Sequence, residues 1–359
     1  MTKIYLIRHA EAEGNLYRIA QGQYNSVLTD RGWKQVKALE RRFADVHIDA
    51  VYASDLYRTC ATSSALYKPK GLPLHRRSDL REICVGPWEQ RTWGDIARSD
   101  PEQMENFGHR MHLWHVDGAE TPEQVRDRTI HALKEIAAEN EGKTVAVFSH
   151  GAAIRLALAY LQGYSMEELG KTPHGDNTAV SLLEAENGTL RVIYRDDNSH
   201  LLDPAMNGGE CLHRKSTALE PGLWFAPLAD QKAAAEQICR EGGFDREQIL
   251  KENHCTLLGF LKEEPVGLLQ LGEEPDTIEK LFVRESCRRR TFGTQALGQA
   301  VQYWRPRGSQ RLRTVLDADN PAAAFFEHNG FVRNGTTENG RVIFEKDISF
   351  NPEFLTPEN

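Results

Sequence analysis

With 359 residues, 40% of them hydrophobic and 27% charged, the chain has the make-up of a globular protein of about two domains. Its net charge of −8 is spread evenly, 25 Lys/Arg against 29 Asp/Glu in residues 1–205 and 19 against 23 beyond, so neither half carries the basic surface of a nucleic-acid binder. No apolar run approaches the ~20 residues of a bilayer span, Met1-Thr2-Lys3 leads into a strand-like run rather than a secretory signal, and six cysteines without a C-x-x-C pair predict free thiols in the cytoplasm.

Residues 3–7 (KIYLI), 50–53 (AVYA) and 144–148 (TVAVF) are short, β-branched-rich runs without in/out alternation. They predict strands buried on both faces. Between them, residues 30–44 open on Asp30 as a cap and residues 121–139 carry Thr121 at the N-cap and Pro122 at N1; both are spaced as helices. Strands alternating with helices predict an α/β fold with a mostly parallel sheet. Residues 178–194 add two strands around Glu186-Asn187-Gly188.

Residues 204–222 lose periodicity and hold Gly208-Gly209 and two prolines. The expected organisation is a first domain over 1–205, a linker over 206–222, a second domain over 223–350 and a tail over 351–359. The second domain reads as helices near 229–240 and 245–252, a hairpin over 256–271, a strand over 278–283 and a helix over 292–304. A strand over 312–317, a short helix over 321–328 and a strand over 341–348 complete an α/β unit with a mixed sheet.

In an open parallel sheet, ligands bind beyond the carboxyl ends of the strands. His9 closes the first strand and His150 the strand over 144–148, so parallel strands bring both imidazoles to one edge. Arg58 comes round on the first turns of the helix after Ser54, with Arg8 and Arg155 nearby. Two histidines and several arginines in one crevice suit a dianion, because guanidinium forks and helix N-termini both bind phosphate oxygens.

The motifs RHAEAEGN (8–15), LTDRGWKQ (28–35), YASDLYRTCATS (52–63), LREICVGPWE (80–89), GAETPEQVRDR (118–128) and SHGAAIR (149–155) resemble the histidine phosphatase superfamily, in its phosphoglycerate-mutase-like branch. The resemblance implies that His9 is the nucleophile, that Arg8, Arg58 and His150 hold the phosphoryl group, and that Glu82 is the proton donor. Asn15, Gln21, Gly22 and Gly151 are expected substrate contacts. The chemistry is coherent by itself: a nucleophilic histidine must be neutral at the attacking nitrogen, and a hydrogen bond from its other nitrogen fixes that tautomer. No metal or cofactor is expected for this domain. His109, His112 and His115 lack the carboxylate or cysteine of a standard zinc set and read as a rim on one helix face. Specificity is expected from 16–27 and 90–117, where Tyr17, Arg18, Tyr24, Trp88, Trp93, Trp114 and His115 line a mouth or fill the core.

In the second domain, RESCRRRTFG (284–293) is a loop with three arginines that opens a helix. With DNPAAAFFEHNGF (319–331), the EEPVG hairpin (263–267) and the order of elements, it resembles the GNAT acetyltransferase superfamily. The resemblance implies acetyl-CoA, with its diphosphate on Arg288, Arg289, Arg290, Thr291, Phe292, Gly293 and Thr294. Leu281 and Val283 backbone would line the pantetheine arm, and Asn320 adds a cofactor contact. Thr291 replaces a family glycine, and Phe326 stands where a proton-donating tyrosine is common. Glu279 is a base by analogy or a solvent-facing acid.

The sequence therefore predicts a phosphomonoesterase acting on a small-molecule phosphoester through phosphohistidine, fused to an acetyl-CoA-dependent N-acetyltransferase with an unknown amine acceptor. The alternatives are a phosphatase with a catalytically weak acyl-CoA sensor, or a phosphoglycerate mutase. No nucleic-acid or membrane partner is expected, and a homodimer is among the assemblies the sequence permits.

Overall fold

The computed structural model describes residues 1–205, 207–213, 222–245, 247, 249 and 255–355. The first half is a six-stranded sheet in the order β3-β2-β4-β1-β5-β6. Its strands are β1 (Thr2–Arg8), β2 (Ala50–Ser54), β3 (Leu74–Arg77), β4 (Thr144–Ser149), β5 (Val180–Glu186) and β6 (Thr189–Asp197). The first four run parallel, and β5 and β6 close one edge antiparallel. The central strands are continuous apolar runs because both faces are covered. Helices α2 (Asp30–Arg42) and α3 (Tyr57–Lys70) cover one face, and α6 (Pro122–Glu139) and α7 (Gly151–Leu161) the other. Short helices α1 (Glu13–Tyr17), α4 (Trp93–Ser99) and α5 (Pro101–His109) lie beyond the strand ends, and α8 (Ser199–Leu202) follows β6.

The capping of α6 is as expected: the Thr121 hydroxyl accepts from Gln124 N while the Gln124 side chain returns to Thr121 N. For α2 the cap moves by one residue. Thr29 Oγ1 accepts from Gly32 N at 3.0 Å, and Asp30 is the first helical residue, where its charge still suits the helix dipole. β3 (LHRR) escapes the sequence pattern because a short edge strand needs little apolar surface.

The second half holds a four-stranded antiparallel sheet, β10-β9-β8-β7, and a three-stranded one, β11-β13-β12. The strands are β7 (Trp224–Pro227), β8 (Thr256–Leu261), β9 (Glu264–Leu271), β10 (Ile278–Val283), β11 (Arg311–Leu316), β12 (Val332–Thr336) and β13 (Val342–Asp347). Helices α9 (Lys232–Gly242), α10 (Phe292–Trp304) and α11 (Ala323–His328) pack against them. The two sheets meet at one end, where Arg313 N donates to Asp276 O at 2.7 Å and Thr314 Oγ1 to Ile278 O at 3.0 Å. Beyond that junction β10 and β11 belong to different sheets.

Part of the expected linker is anchored. Leu212 is buried, its N–H donates to Leu201 O at 2.9 Å, and its carbonyl accepts from Gln35 Nε2 at 3.2 Å. Residues 214–221 lie outside the described residues, as does most of the helix expected over 245–252. The expected tail is strapped to α3 as far as it is described. Phe354 is buried against Tyr57, Lys68 pairs with Glu353 at 2.7 Å, and Arg76 donates to Glu353 O and Leu355 O. Among the described residues, no helix is long and apolar enough to cross a membrane.

Candidate active site

β1 and β4 are parallel neighbours with Arg8 opposite Ser149, so the next residue of each, His9 and His150, stands at the same level of the sheet edge. Their ring centroids are 5.3 Å apart, and both side chains are buried. His9 Nδ1 lies 2.7 Å from Ala10 O. A carbonyl only accepts, so Nδ1 carries the hydrogen and Nε2 keeps its lone pair. Burial, then Arg58 and Arg8, hold the His9 imidazole well below its ordinary pKa. The ring is therefore neutral at physiological pH, with its Nε2 lone pair free.

His150 has the opposite tautomer. Its Nδ1 accepts from Arg58 Nε at 3.1 Å, which puts the hydrogen on Nε2. That Nε2 is buried without a partner, and so is Arg8 Nε. Buried donors without partners are rare; Arg8 lines the pocket together with His9, and His150 is not among the lining residues. Gly151, first residue of α7, lies against the Arg8 guanidinium: a Cβ there would be 3.2 Å from Arg8 Cζ. Arg8 is steered by a bond from Nη1 to Gly175 O at 2.6 Å.

Arg58 meets His150 at the expected strand edge through its Nε. It is fully buried behind His150, with Nη1 on Tyr24 O at 3.0 Å and Nη2 on Gly22 O at 2.7 Å. It fixes a tautomer and a loop, and it does not line the pocket itself. Burial brings its pKa to about 10, still cationic at neutral pH. Glu82 reaches the start of α7, where its carboxylate accepts from Ala152 N, Ala153 N and Ile83 N, each at 3.0 Å.

Asn15, Gln21, Gly22 and Gly151 all line the pocket, together with Arg8, His9 and Glu82. Asn15 Oδ1 accepts from Ala12 N at 3.0 Å, and Gln21 Oε1 accepts from Ser26 Oγ at 2.7 Å. Gly22 has no room for a side chain: a Cβ would stand 2.2 Å from Glu89 Oε1 and 2.4 Å from Ile83 O. Of the aromatic and basic residues expected at the mouth, Arg18 and Trp93 line it, joined by Ile83, Val85, Phe107 and Met111. Trp88 and Trp114 are core, and Tyr17 and Tyr24 belong to the packing between the two halves. The three rim histidines do not share a helix face. α5 ends at His109, His112 lies on a separate 3-10 turn, and His115 is exposed near Asp117.

Three residues that build the pocket, Glu89, Asn177 and His174, were not singled out in the sequence, and Arg155, expected nearby, joins them. Glu89 accepts from the N–H groups of Gly22, Gln23 and Tyr24. Asn177 Nδ2 donates to His9 O at 3.0 Å. Arg155 donates from Nη1 to His174 Nδ1 at 3.2 Å, and both line the pocket. Asn177 and His174 sit in a turn-rich stretch without periodicity, and only three-dimensional convergence brings them in.

In the second half, Arg288 Nε donates to Val283 O at 3.1 Å and Arg290 lies 5.0 Å from the Phe292 ring. Arg289 and Thr291 both adopt left-handed backbone, with φ of 59° and 64°. Phe292 and Thr294 are buried, and Thr294 Oγ1 donates to Asn329 Oδ1 at 2.9 Å. Gly293 lies under Phe325: a Cβ would be 2.9 Å from its ring. Asn320 Oδ1 accepts from Ala322 N at 2.9 Å and so serves the turn into α11. Phe326 is buried among Phe325 and Phe331, and Glu279 is exposed.

The model of the histidine phosphatase superfamily (branch 1) matches residues 4–198, and that of the acetyltransferase (GNAT) family matches residues 224–331. Phosphoserine phosphatase 1 of Hydrogenobacter thermophilus is 27% identical over 56% of this chain and 95% of its own length. The metal-independent phosphoserine phosphatase of Arabidopsis thaliana is 30% identical over 56% of this chain and 84% of its own. Among solved structures, Bacillus stearothermophilus YhfR matches with a TM-score of 0.54 and 30% identity, covering 56% of this chain and 99% of that one. Phosphoserine phosphatase of Entamoeba histolytica in complex with 3-phosphoglyceric acid matches with a TM-score of 0.50 and 25% identity, covering 56% and 100%.

Proposed function

The chain belongs to the histidine phosphatase superfamily and carries a GNAT acetyltransferase domain behind it; from that premise we propose that its first domain is a phosphomonoesterase for small phosphorylated metabolites, working through a phosphohistidine. The observation that carries this reading is the opposed pair of tautomers. His9 offers an unprotonated Nε2, and beside it the unpartnered donors of His150 Nε2 and Arg8 Nε wait for phosphoryl oxygens.

In the first half-reaction, the lone pair of His9 Nε2 attacks phosphorus. The bond from phosphorus to the ester oxygen breaks with its electrons on that oxygen, and Glu82 is the group that hands on the proton that makes the leaving alcohol. In the second, water attacks the phosphohistidine, the Glu82 carboxylate takes its proton, and His9 Nε2 recovers its lone pair as inorganic phosphate leaves. The charge on the transferring group is met by donors already in place. Beside the phosphoryl half, the pocket is lined by Ile83, Val85, Trp93, Phe107 and Met111 together with the polar groups of Arg18 and Asn177. Phosphoserine, the substrate named for two relatives, is the first compound to test.

The test is a phosphoester panel with trapping of the intermediate in alkali, where the P–N bond of a phosphohistidine survives, and its loss on acidification. Wild type labels His9 from a phosphate-labelled ester, and His9→Ala does neither chemistry nor labelling. Glu82→Gln slows alkyl phosphates far more than p-nitrophenyl phosphate, whose leaving group needs no proton. Near-wild-type turnover in His9→Ala would falsify the mechanism.

For the second domain, two observations favour acyl-CoA binding with weak transfer over a full N-acetyltransferase. Phe326 is buried without a hydroxyl, and Thr291 takes a conformation that glycine adopts at no steric cost. Calorimetry with acetyl-CoA followed by an amine panel decides between the two: heat of binding without acetylated product supports the sensor, and turnover supports the transferase.

A further inference from the structure

The helix that carries Asn15 is too short to stand alone. α1 has five residues, less than half of the ~12 at which an isolated helix becomes even marginal in water. Its position is therefore set by what it touches. On one side, Gly14, Asn15 and the capping Arg18 line the phosphatase pocket. On the other, Glu13 and Tyr17 are buried against the second half of the chain.

Arg305 follows the last residue of α10 and grips Glu13 with both arms, Nη1 to Oε2 at 2.8 Å and Nη2 to Oε1 at 3.0 Å. The guanidinium is fixed from behind: Nε donates to Ile348 O at 2.7 Å, and the Phe350 ring centroid lies 5.0 Å away. Glu13 is 3% exposed, so this is a desolvated, two-pronged pair. One turn along, Tyr17 packs on Gly298 of α10. A Cβ on Gly298 would stand 2.5 Å from Tyr17 Cβ, a contact only glycine allows. Tyr17 and Ile19 share one apolar cluster with Leu297, Val301 and Trp304. A second contact supports the same wall: a Cβ on Gly222 would be 3.1 Å from Arg18 Cβ, and the next residue, Leu223, donates its N–H to Gln295 Oε1 of α10 at 2.7 Å.

We propose that Arg305 and Gly298 are positioning residues of the phosphatase site, fixing α1 and with it Asn15 and Arg18, so that the leaving-group half of the pocket is completed by the acetyltransferase domain. The proposal rests on the phosphomonoesterase reading above. The phosphoryl half does not depend on α10, because Arg8, His9 and His150 are set by the register of β1 and β4 and Glu82 by the start of α7. Disturbing the α1–α10 contact therefore separates substrate binding from phosphoryl transfer.

The experiment uses the full chain and steady-state kinetics on phosphoserine and p-nitrophenyl phosphate, with the fraction of phosphohistidine at saturating substrate read in parallel. The variants are Gly298→Ala, Arg305→Gln, Arg305→Lys and the neutral pair E13Q/R305Q, each checked for folding by circular dichroism. KM is expected to rise about tenfold in Gly298→Ala and Arg305→Gln while kcat changes by less than about threefold, with Arg305→Lys in between because one ammonium replaces a fork. The phosphohistidine fraction at saturation stays at the wild-type value. If Arg305→Gln does not fold with Glu13 left unpaired, Gly298→Ala and E13Q/R305Q decide. Folded variants with an unmoved KM, or with kcat lost at constant KM, overturn the proposal while a phosphohistidine in wild type leaves the phosphatase reading standing. A wild type that forms no phosphohistidine overturns both.

Discussion

Arg58 Nε lies 3.1 Å from His150 Nδ1, and that hydrogen bond decides which nitrogen of His150 carries the proton. Because the guanidinium only donates, His150 keeps its hydrogen on Nε2, which is buried without a partner. The same arginine holds the carbonyls of Gly22 and Tyr24, so one side chain sets a donor and shapes a wall. Removing it is expected to lower kcat by about 10²-fold through misplacement alone. Arg58→Lys does not rescue, since a lysine cannot reach three acceptors with a planar fork. Steady-state kinetics on the two variants checks this; a fully active Arg58→Lys means that charge alone mattered.

The pH dependence of activity follows from the buried imidazoles. Burial, then Arg58, holds both His9 and His150 well below the ordinary histidine value. A free imidazole would lose nucleophilicity as pH falls through about 6.5. Here the acid limb of kcat/KM is expected well below that, and activity persists at pH 5.5. An acid limb titrating at pH 6.5 in the wild type contradicts the neutral buried pair.

Stability responds to the same physics at His200, which is buried with Nδ1 on Arg42 Nη1 at 3.1 Å and Nε2 on Thr178 Oγ1 at 3.0 Å. Burial, with help from Arg42, takes its pKa down to about 3. The folded value lies below the unfolded one, so between about pH 6.5 and 3 the unfolded chain binds the extra proton. Stability is unaffected above that window and falls within it, by up to about 1.4 kcal/mol per pH unit for this group. Urea unfolding of His200→Gln at pH 7, 6 and 5 should show a shallower decline than wild type; parallel declines remove His200 from the account.

Glu89 is the residue whose importance the sequence hid most completely. It sits at the end of the LREICVGPWE run, yet nothing in spacing says that it turns back to take the N–H groups of Gly22, Gln23 and Tyr24. Glu89→Ala strands these donors and opens space beside Gly22. The expected cost is about 2–4 kcal/mol, with KM raised because Gln21 and Gly22 lose their frame. Thermal melts and kinetics together check it; an unshifted midpoint shows that water replaces the carboxylate.

What could be read from the chain divides by how locally it is determined. The strands ending at His9 and His150 were legible because a parallel sheet converts strand ends into one edge, and apolar runs such as TVAVF announce burial on both faces. Thr121 and Pro122 announced α6 for reasons confined to four residues. β3, β7 and β12 were not legible, since short strands such as LHRR and VRNGT carry no apolar alternation. The partnership of Glu13 with Arg305 spans 292 residues and leaves no local trace. Arg58 was legible as a residue of that edge, but helical spacing does not say which of its neighbours it serves.

Thr291 holds φ at 64°, where a β-branched residue is disfavoured by about 1–2 kcal/mol and glycine is not. Its hydroxyl offsets part of this by donating to Arg290 O at 2.6 Å. Thr291→Gly is therefore expected to raise stability by up to about 1 kcal/mol and to tighten acetyl-CoA binding by removing the side chain from the loop. Urea melts and calorimetry measure both; a loss of more than about 1 kcal/mol means that the threonine is not in that conformation in solution.

Phe326 tests whether the second domain lacks only a hydroxyl. The ring is 4% exposed and packs edge-on against Phe325 and Phe331 at 5.2 and 5.1 Å. A tyrosine there buries a hydroxyl with no partner among those rings, which costs about 1–3 kcal/mol. If the hydroxyl instead reaches bound cofactor, the cost shrinks when acetyl-CoA is added, and acetyl transfer to a good amine rises. Phe326→Tyr is expected to melt lower than wild type without ligand and to gain no transfer activity with it, because the ring's neighbours leave the oxygen facing carbon. An increase in turnover of about tenfold or more would instead place that oxygen beside the thioester and make this domain a transferase short of one proton donor.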